Sequence, residues 1–145
     1  MRRLFIVRKD LHMSSGKLAA QVGHCSELYW LHLIRKSLEY NKDLRLYQSY
    51  DMEIEKEIVD DYINGSITKT VLQAKNLNHL LKAKTLAENL NLEEGIDFGF
   101  VRDLCLTELT PDPNSDTCTT CFWTRPLPDE IAWKISKKYH LYIDT

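Results

Sequence analysis

A short apolar run, RLFIVRK at residues 3–9, is followed by a polar turn and then by a helical period that holds from Ser15 to about Lys36. This strand-then-helix order recurs along the chain and restricts its fold more than any other feature. Ser14 or Ser15 stands where a helix N-cap belongs. Leu18, Val22, Cys25 and Tyr29 make the apolar stripe of the first helix. Residues 37–51 are a polar connection with no clear period. MEIEKEIVDDYI, residues 52–63, reads as an acidic amphipathic helix with Ile54, Ile58 and Tyr62 on one side, stopped by the Asn64-Gly65 turn. ITKTVLQAK (67–75) is a second strand, and residues 76–90 are a third helix that offers Leu77, Leu80, Leu81 and Leu90 for burial. GIDFGFVRD (95–103) and TCTTCFWTR (117–125) are two more strands. Pro128 opens a last helix over PDEIAWKISKKY, with Asp129 and Glu130 in its first turn.

Strands alternating with helices imply an α/β chain, and strands joined through helices run parallel. The third and fourth strands are joined only by LCLTELTPDPNSD, which has no helical period. The expected fold is therefore a three-layer α/β/α sandwich around a mixed four-stranded sheet, with the fourth strand antiparallel. The chain of 145 residues, 43% hydrophobic, is long enough for one domain with a real core, residues 1–145. No apolar run approaches the ~20 residues that span a membrane. The apolar run behind the basic start is too short for a secretion signal, so the expected location is cytoplasmic.

Net charge is −2, which gives no global argument for a polyanionic partner. The distribution is uneven. Residues 1–37 hold seven Lys/Arg against two Asp/Glu, and residues 38–66 hold three against eight. The amino-terminal third is thus a candidate positive patch.

Lys17, Gln21 and His24 fall at i, i+4 and i+7, on one face of the first helix and at the end fed by the first strand. In open α/β sheets ligands gather at the carboxyl ends of the strands. Asp103 ends the third strand at that same end, followed by Thr107 and Glu108, and Thr120 lies in the fourth strand. A Lys and an Asp brought together there would orient a water and stabilise an oxyanion. SSGKL is not a phosphate loop, since Leu11 and Leu18 replace the glycine and the metal-binding hydroxyl that motif requires. Cys118 and Cys121 form a lone C-x2-C without a second knuckle. In a regular strand they would face opposite sides, so no metal site is expected.

VRKDLHMSSGKLAAQVGHC resembles the opening of the type II peptidyl-tRNA hydrolases through Arg8, Asp10, Leu11, Met13, Gly16, Lys17, Ala19, Ala20, Gln21 and His24. VRDLCLTELTP resembles a second segment of that family through Asp103, Thr107, Glu108 and Pro111, and TCFWTRPLPDEI a third through Thr120, Pro126 and Pro128. The resemblance covers nearly the whole chain. It implies metal- and cofactor-free hydrolysis of the ester between a peptidyl group and tRNA, and a homodimer. By the same resemblance Lys17, Asp103, Thr107 and Thr120 are catalytic. Lys17 holds an oxyanion or a phosphate, Asp103 orients Lys17 or the water, and the threonines donate hydrogen bonds. Gln21, His24 and Glu108 support the substrate, with Arg8 and Lys9 on the rim. Departures are Leu104-Cys105 in place of Ala-Gly, Asp112 in place of Gly, an extended DPNSD loop, and a longer segment at 37–52. They leave open a re-targeted hydrolase, or a non-catalytic chain that binds RNA or a protein, its site plugged by Leu104 or the 112–116 loop.

Overall fold

The computed structural model describes residues 1–143. Strand β1 (Arg3–Arg8) is buried along its whole length, as its run of apolar residues requires. A single turn of 3-10 helix, Lys9–Leu11, leads to helix α1 (Ser15–Ser37). Ser14 is its N-cap, and its hydroxyl accepts the Lys17 N–H at 3.3 Å. At 23 residues, α1 is about 34 Å long.

The connection left without a period is an antiparallel hairpin, β2 (Leu38–Asn41) with β3 (Leu46–Ser49). Tyr40 and Tyr47 face each other across it, ring centroids 5.1 Å apart. The expected acidic helix is a wide coil over Ile58–Ser66. It ends with the Ile67 N–H donating to the Tyr62 carbonyl, a five-residue span in place of the four of an α-helix. Ile58 and Tyr62 are its buried residues. Strand β4 (Lys69–Ala74) and helix α2 (Leu77–Asn89) follow, α2 being capped by Asn76, whose side chain accepts the His79 N–H. Then come β5 (Phe98–Asp103), β6 (Cys118–Thr124), α3 (Asp129–Ser136) and β7 (His140–Leu141). Pro128 is the N-cap of α3 and not its first residue.

The fold is mixed α/β, and the sheet has five strands in the order β5-β6-β1-β4-β7. β1 and β4 are parallel, and β6 runs against both β1 and β5. The antiparallel direction of the fourth long strand agrees with its helix-free link. The strand count does not: β7 pairs with the outer side of β4 through Leu72–Leu141 and Gln73–His140. Two residues carry no readable period, and His140–Leu141 lie just past the end of the expected last helix at Tyr139, in no expected element.

Helices pack on both faces. Phe5, Val7, Cys121 and Trp123 face Cys25 and Tyr29 of α1. Leu4, Ile6, Leu72 and Phe122 face Leu80 and Ala83 of α2 and Ile135 of α3. Arg3 is wholly buried on the α1 side. Its guanidinium donates to the carbonyls of Thr124 (2.8 Å), Ser26 (2.7 Å) and Cys25 (2.9 Å) and lies over the Phe5 ring. That strut fixes the rotation of α1 on the sheet, and so the direction of its polar row. No described helix is long and apolar enough to cross a membrane.

Candidate active site

β1 and β5 point the same way, so their carboxyl ends lie at one edge. β1 delivers the start of α1 there, and β5 delivers Asp103. Val101 packs on the α1 face, and Asp103, two residues on, shares that face. The Lys17 Nζ lies 2.6 Å from Asp103 Oδ1, both side chains largely withdrawn from solvent. Gln21, one turn along α1, is buried. Its Nε2 donates to the same carboxylate oxygen at 3.4 Å, and its Oε1 accepts the Thr120 hydroxyl at 2.5 Å.

Thr120 reaches Gln21 because β6 is irregular at this point. Val101 pairs with Cys121 and Arg102 with Thr119, which leaves Thr120 as the extra residue of a bulge. The bulge also cancels the expected alternation of Cys118 and Cys121. Their partners are Asp103 and Val101, two apart on β5, so both cysteines lie on one face. Among the described residues no group of three or more His, Cys, Asp or Glu side chains is placed to hold a metal ion. Burial pushes the Cys118 thiol up to about 11.

Burial alone would raise the Asp103 pKa. The hydrogen bonds from Lys17 and from the Cys105 N–H (2.9 Å) outweigh it and hold the carboxyl below its ordinary 3.8. A depressed carboxylate stabilises the fold fully above the unfolded value, and the contribution disappears as pH falls through the folded one. The difference in urea midpoint between the wild type and Asp103→Asn is therefore expected to stay constant from pH 7 to 5 and to shrink only below about 3.8. A difference that already shrinks between pH 7 and 5 would contradict the pairing.

Cys105 holds φ at 61°, in the left-handed region that glycine enters freely. A cysteine there bears backbone strain that a glycine would not. Leu104 is 67% exposed, so it is not packed into the interior beside the Lys17–Asp103 pair.

The remaining candidates are placed differently. Glu108 accepts from the Ser14 N–H (2.9 Å) and the Ser14 hydroxyl (2.7 Å), which lowers its pKa and pins the 104–111 loop to the start of α1. Thr107 is exposed and outside this hydrogen-bonded group. His24 is exposed one turn beyond Gln21.

Arg8 is not a free cation on a rim. It is buried, bonded to both oxygens of Asp10 (3.2 and 2.9 Å), to Asp112 Oδ1 (2.7 Å) and to the Thr119 carbonyl (3.1 Å). Lys9 turns to the carboxyl-terminal segment, donating to the Ile143 carbonyl and lying over the Tyr142 ring. Both sit at the end of a strand, where charge pattern alone cannot distinguish a solvated cation from a clamp. Asp112, which sequence reasoning marked only as a departure, accepts the Thr119 N–H at 2.7 Å on its second oxygen. It thereby holds the backbone next to the Thr120 bulge. Ser14 reads only as a helix cap and Asp112 only as a departure, and neither signals its long-range partner. Their partners, Glu108 and Arg8, lie about a hundred positions away.

The chain matches the family model described as peptidyl-tRNA hydrolase PTH2 over residues 1–142. A protein of Thermococcus sibiricus named peptidyl-tRNA hydrolase is 30% identical over 135 residues, 93% of this chain and 92% of its own length. Proteins of the same name from Sulfolobus acidocaldarius and Thermococcus onnurineus are 29% and 28% identical, over 94% and 93% of this chain and 95% and 92% of theirs.

Proposed function

The chain belongs to the peptidyl-tRNA hydrolase PTH2 family, and from that premise we infer how Lys17, Asp103, Gln21 and Thr120 divide the work of hydrolysing peptidyl-tRNA. The bond broken is the ester between the peptidyl carbonyl carbon and the terminal ribose of the tRNA. Water adds to that carbon and gives up a proton, the carbonyl oxygen takes the negative charge, and collapse of the tetrahedral intermediate expels the ribose oxygen, which takes up the proton that the water released. Lys17 stabilises the oxyanion with the N–H groups that Asp103 does not occupy. Asp103, ionised at neutral pH, holds the ammonium in place. Its contact with the Lys17 ammonium gives it the role of orienting Lys17.

Gln21 and Thr120 are positioning residues. Thr120 is fully buried, so it reaches the substrate only through Gln21. His24 and Thr107 are the accessible groups of the set and contact the substrate from α1 and from the 104–111 loop.

The observation that carries this reading is the 2.6 Å contact between Lys17 and Asp103, 86 positions apart, with Gln21 bridging the carboxylate to Thr120. The test is incubation of the purified protein with N-acetyl-aminoacyl-tRNA. The expected products are free N-acetyl amino acid and tRNA that can be charged again. Release no faster than without protein would refute the reading.

A further inference from the structure

The substrate is a polyanion, yet the cations at the catalytic edge are engaged: Arg8 with two carboxylates, Lys9 with the carboxyl-terminal segment, Lys17 with Asp103. Affinity for tRNA needs lysines or arginines free to displace counterions. Such residues lie on the opposite face of the sheet, at the same edge. A cleft of 460 Å³ between α2 and the segment after α3 is lined by His79, Lys82, Thr85, Leu86, Lys138 and Tyr139. A second hollow of 320 Å³ adjoins it at Lys75, Asn76, Asn78, His79 and Lys82. Neither is lined by an acidic residue. Lys75, Lys82 and Lys138 are exposed and in no ion pair among the described residues.

Sheet register builds this cluster. Arg8 pairs with Ala74 and Gln73 with His140, so Lys75 and Lys138 come level with the end of β1. His79 joins the two walls. Its Nδ1 accepts the Lys75 N–H (3.0 Å), its Nε2 donates to the Lys138 carbonyl (3.4 Å), and its ring stacks on Tyr139 at 4.5 Å. The Tyr139 hydroxyl donates to the His79 carbonyl at 2.7 Å. The lysines are thus presented on a braced floor.

Resting on the peptidyl-tRNA reading, we propose that the Lys75–Lys82–Lys138 cleft binds the phosphodiester backbone of the substrate tRNA. Between Asp103 on β5 and the cleft beside β4 and β7 there are three to four strand spacings of about 4.8 Å, hence roughly 15–19 Å. The cleft also lies on the opposite face of the sheet from Asp103, so the path is longer than this lateral span and the cleft meets phosphates several nucleotides from the terminal ribose. The substrate therefore crosses the end of the sheet, its ester on the α1 side and its backbone on the α2 side.

The experiment compares the wild type with Lys82→Gln/Lys138→Gln on two substrates: full-length N-acetyl-aminoacyl-tRNA, and the same ester on a CCA trinucleotide too short to reach the cleft. The ratio of kcat/KM, full-length over fragment, is expected to fall about tenfold or more in the variant. The log–log salt slope for binding deacylated tRNA is expected to fall by roughly 1.5, near 0.7–0.9 per lost phosphate contact. An unchanged ratio together with an unchanged slope would overturn the proposal. If the wild type hydrolyses neither substrate, the hydrolase reading fails, and the salt slope alone still decides the cleft.

Discussion

Lys17→Ala is expected to lower kcat/KM for N-acetyl-aminoacyl-tRNA by about 10²- to 10³-fold while the protein stays folded. A single donor aimed at a developing oxyanion is worth roughly that much. Here the donor is also the charge that keeps Asp103 in place. The loss should fall mainly on kcat, because the interaction strengthens as charge develops on the carbonyl oxygen. Lys17 sits in the first turn of α1 with its backbone N–H on Ser14, and removing its side chain leaves that cap intact. Asp103 loses its ammonium partner but keeps the Cys105 N–H and Gln21, so a lowered melting temperature without unfolding is expected beside the loss of rate. Lys17→Arg should not restore the rate, since a planar guanidinium cannot place one N–H where the ammonium does. Activity within threefold of the wild type in Lys17→Ala, measured under single-turnover conditions, would contradict the role.

Arg8→Ala is expected to act on stability, at a cost on the order of 3 kcal/mol. The side chain is 8% exposed, and its removal strands Asp112, itself 12% exposed, with Asp10 beside it. Repulsion between those carboxylates and the loss of the Thr119 carbonyl's partner then loosen the 112–119 segment and the bulge that presents Thr120. The measurement is the urea midpoint, with the salt slope of tRNA binding taken on the folded fraction. A large stability loss with an unchanged slope is expected. A stable variant with a flattened slope would return Arg8 to the RNA-facing role that its place in the sequence suggests.

What could be read in the sequence followed the length of the pattern. β1, α1, β4, α2, β5 and β6 each carry a period or a cap long enough to see, and the missing helix before β6 gave its direction. The β2–β3 hairpin escaped because its turn, Asn41 to Arg45, has no Gly, and the left-handed residue is Arg45 at φ 54°. The coil at Ile58–Ser66 looks α-helical because Ile58 and Tyr62 are four apart, and only backbone bonding shows the wider turn. Lys17, Gln21 and His24 could be placed in one row from helical spacing. Asp103 could be joined to them only through topology, the shared carboxyl end of parallel strands, and through family resemblance, because no local period links residues 86 apart. The same limit hid Arg3. A charged residue in an apolar strand gives no sign that three carbonyls await its guanidinium.

The central claim is that Lys17 and Asp103 act as one unit, and a double-mutant cycle on kcat/KM tests it most directly. Lys17→Ala, Asp103→Asn and the double variant are assayed on N-acetyl-aminoacyl-tRNA in one buffer. If Asp103 works through Lys17, the double variant is no slower than Lys17→Ala alone, and the coupling is tenfold or more. If the two losses multiply in the double variant, the residues act independently, and the 2.6 Å contact between them is structural and not part of the reaction.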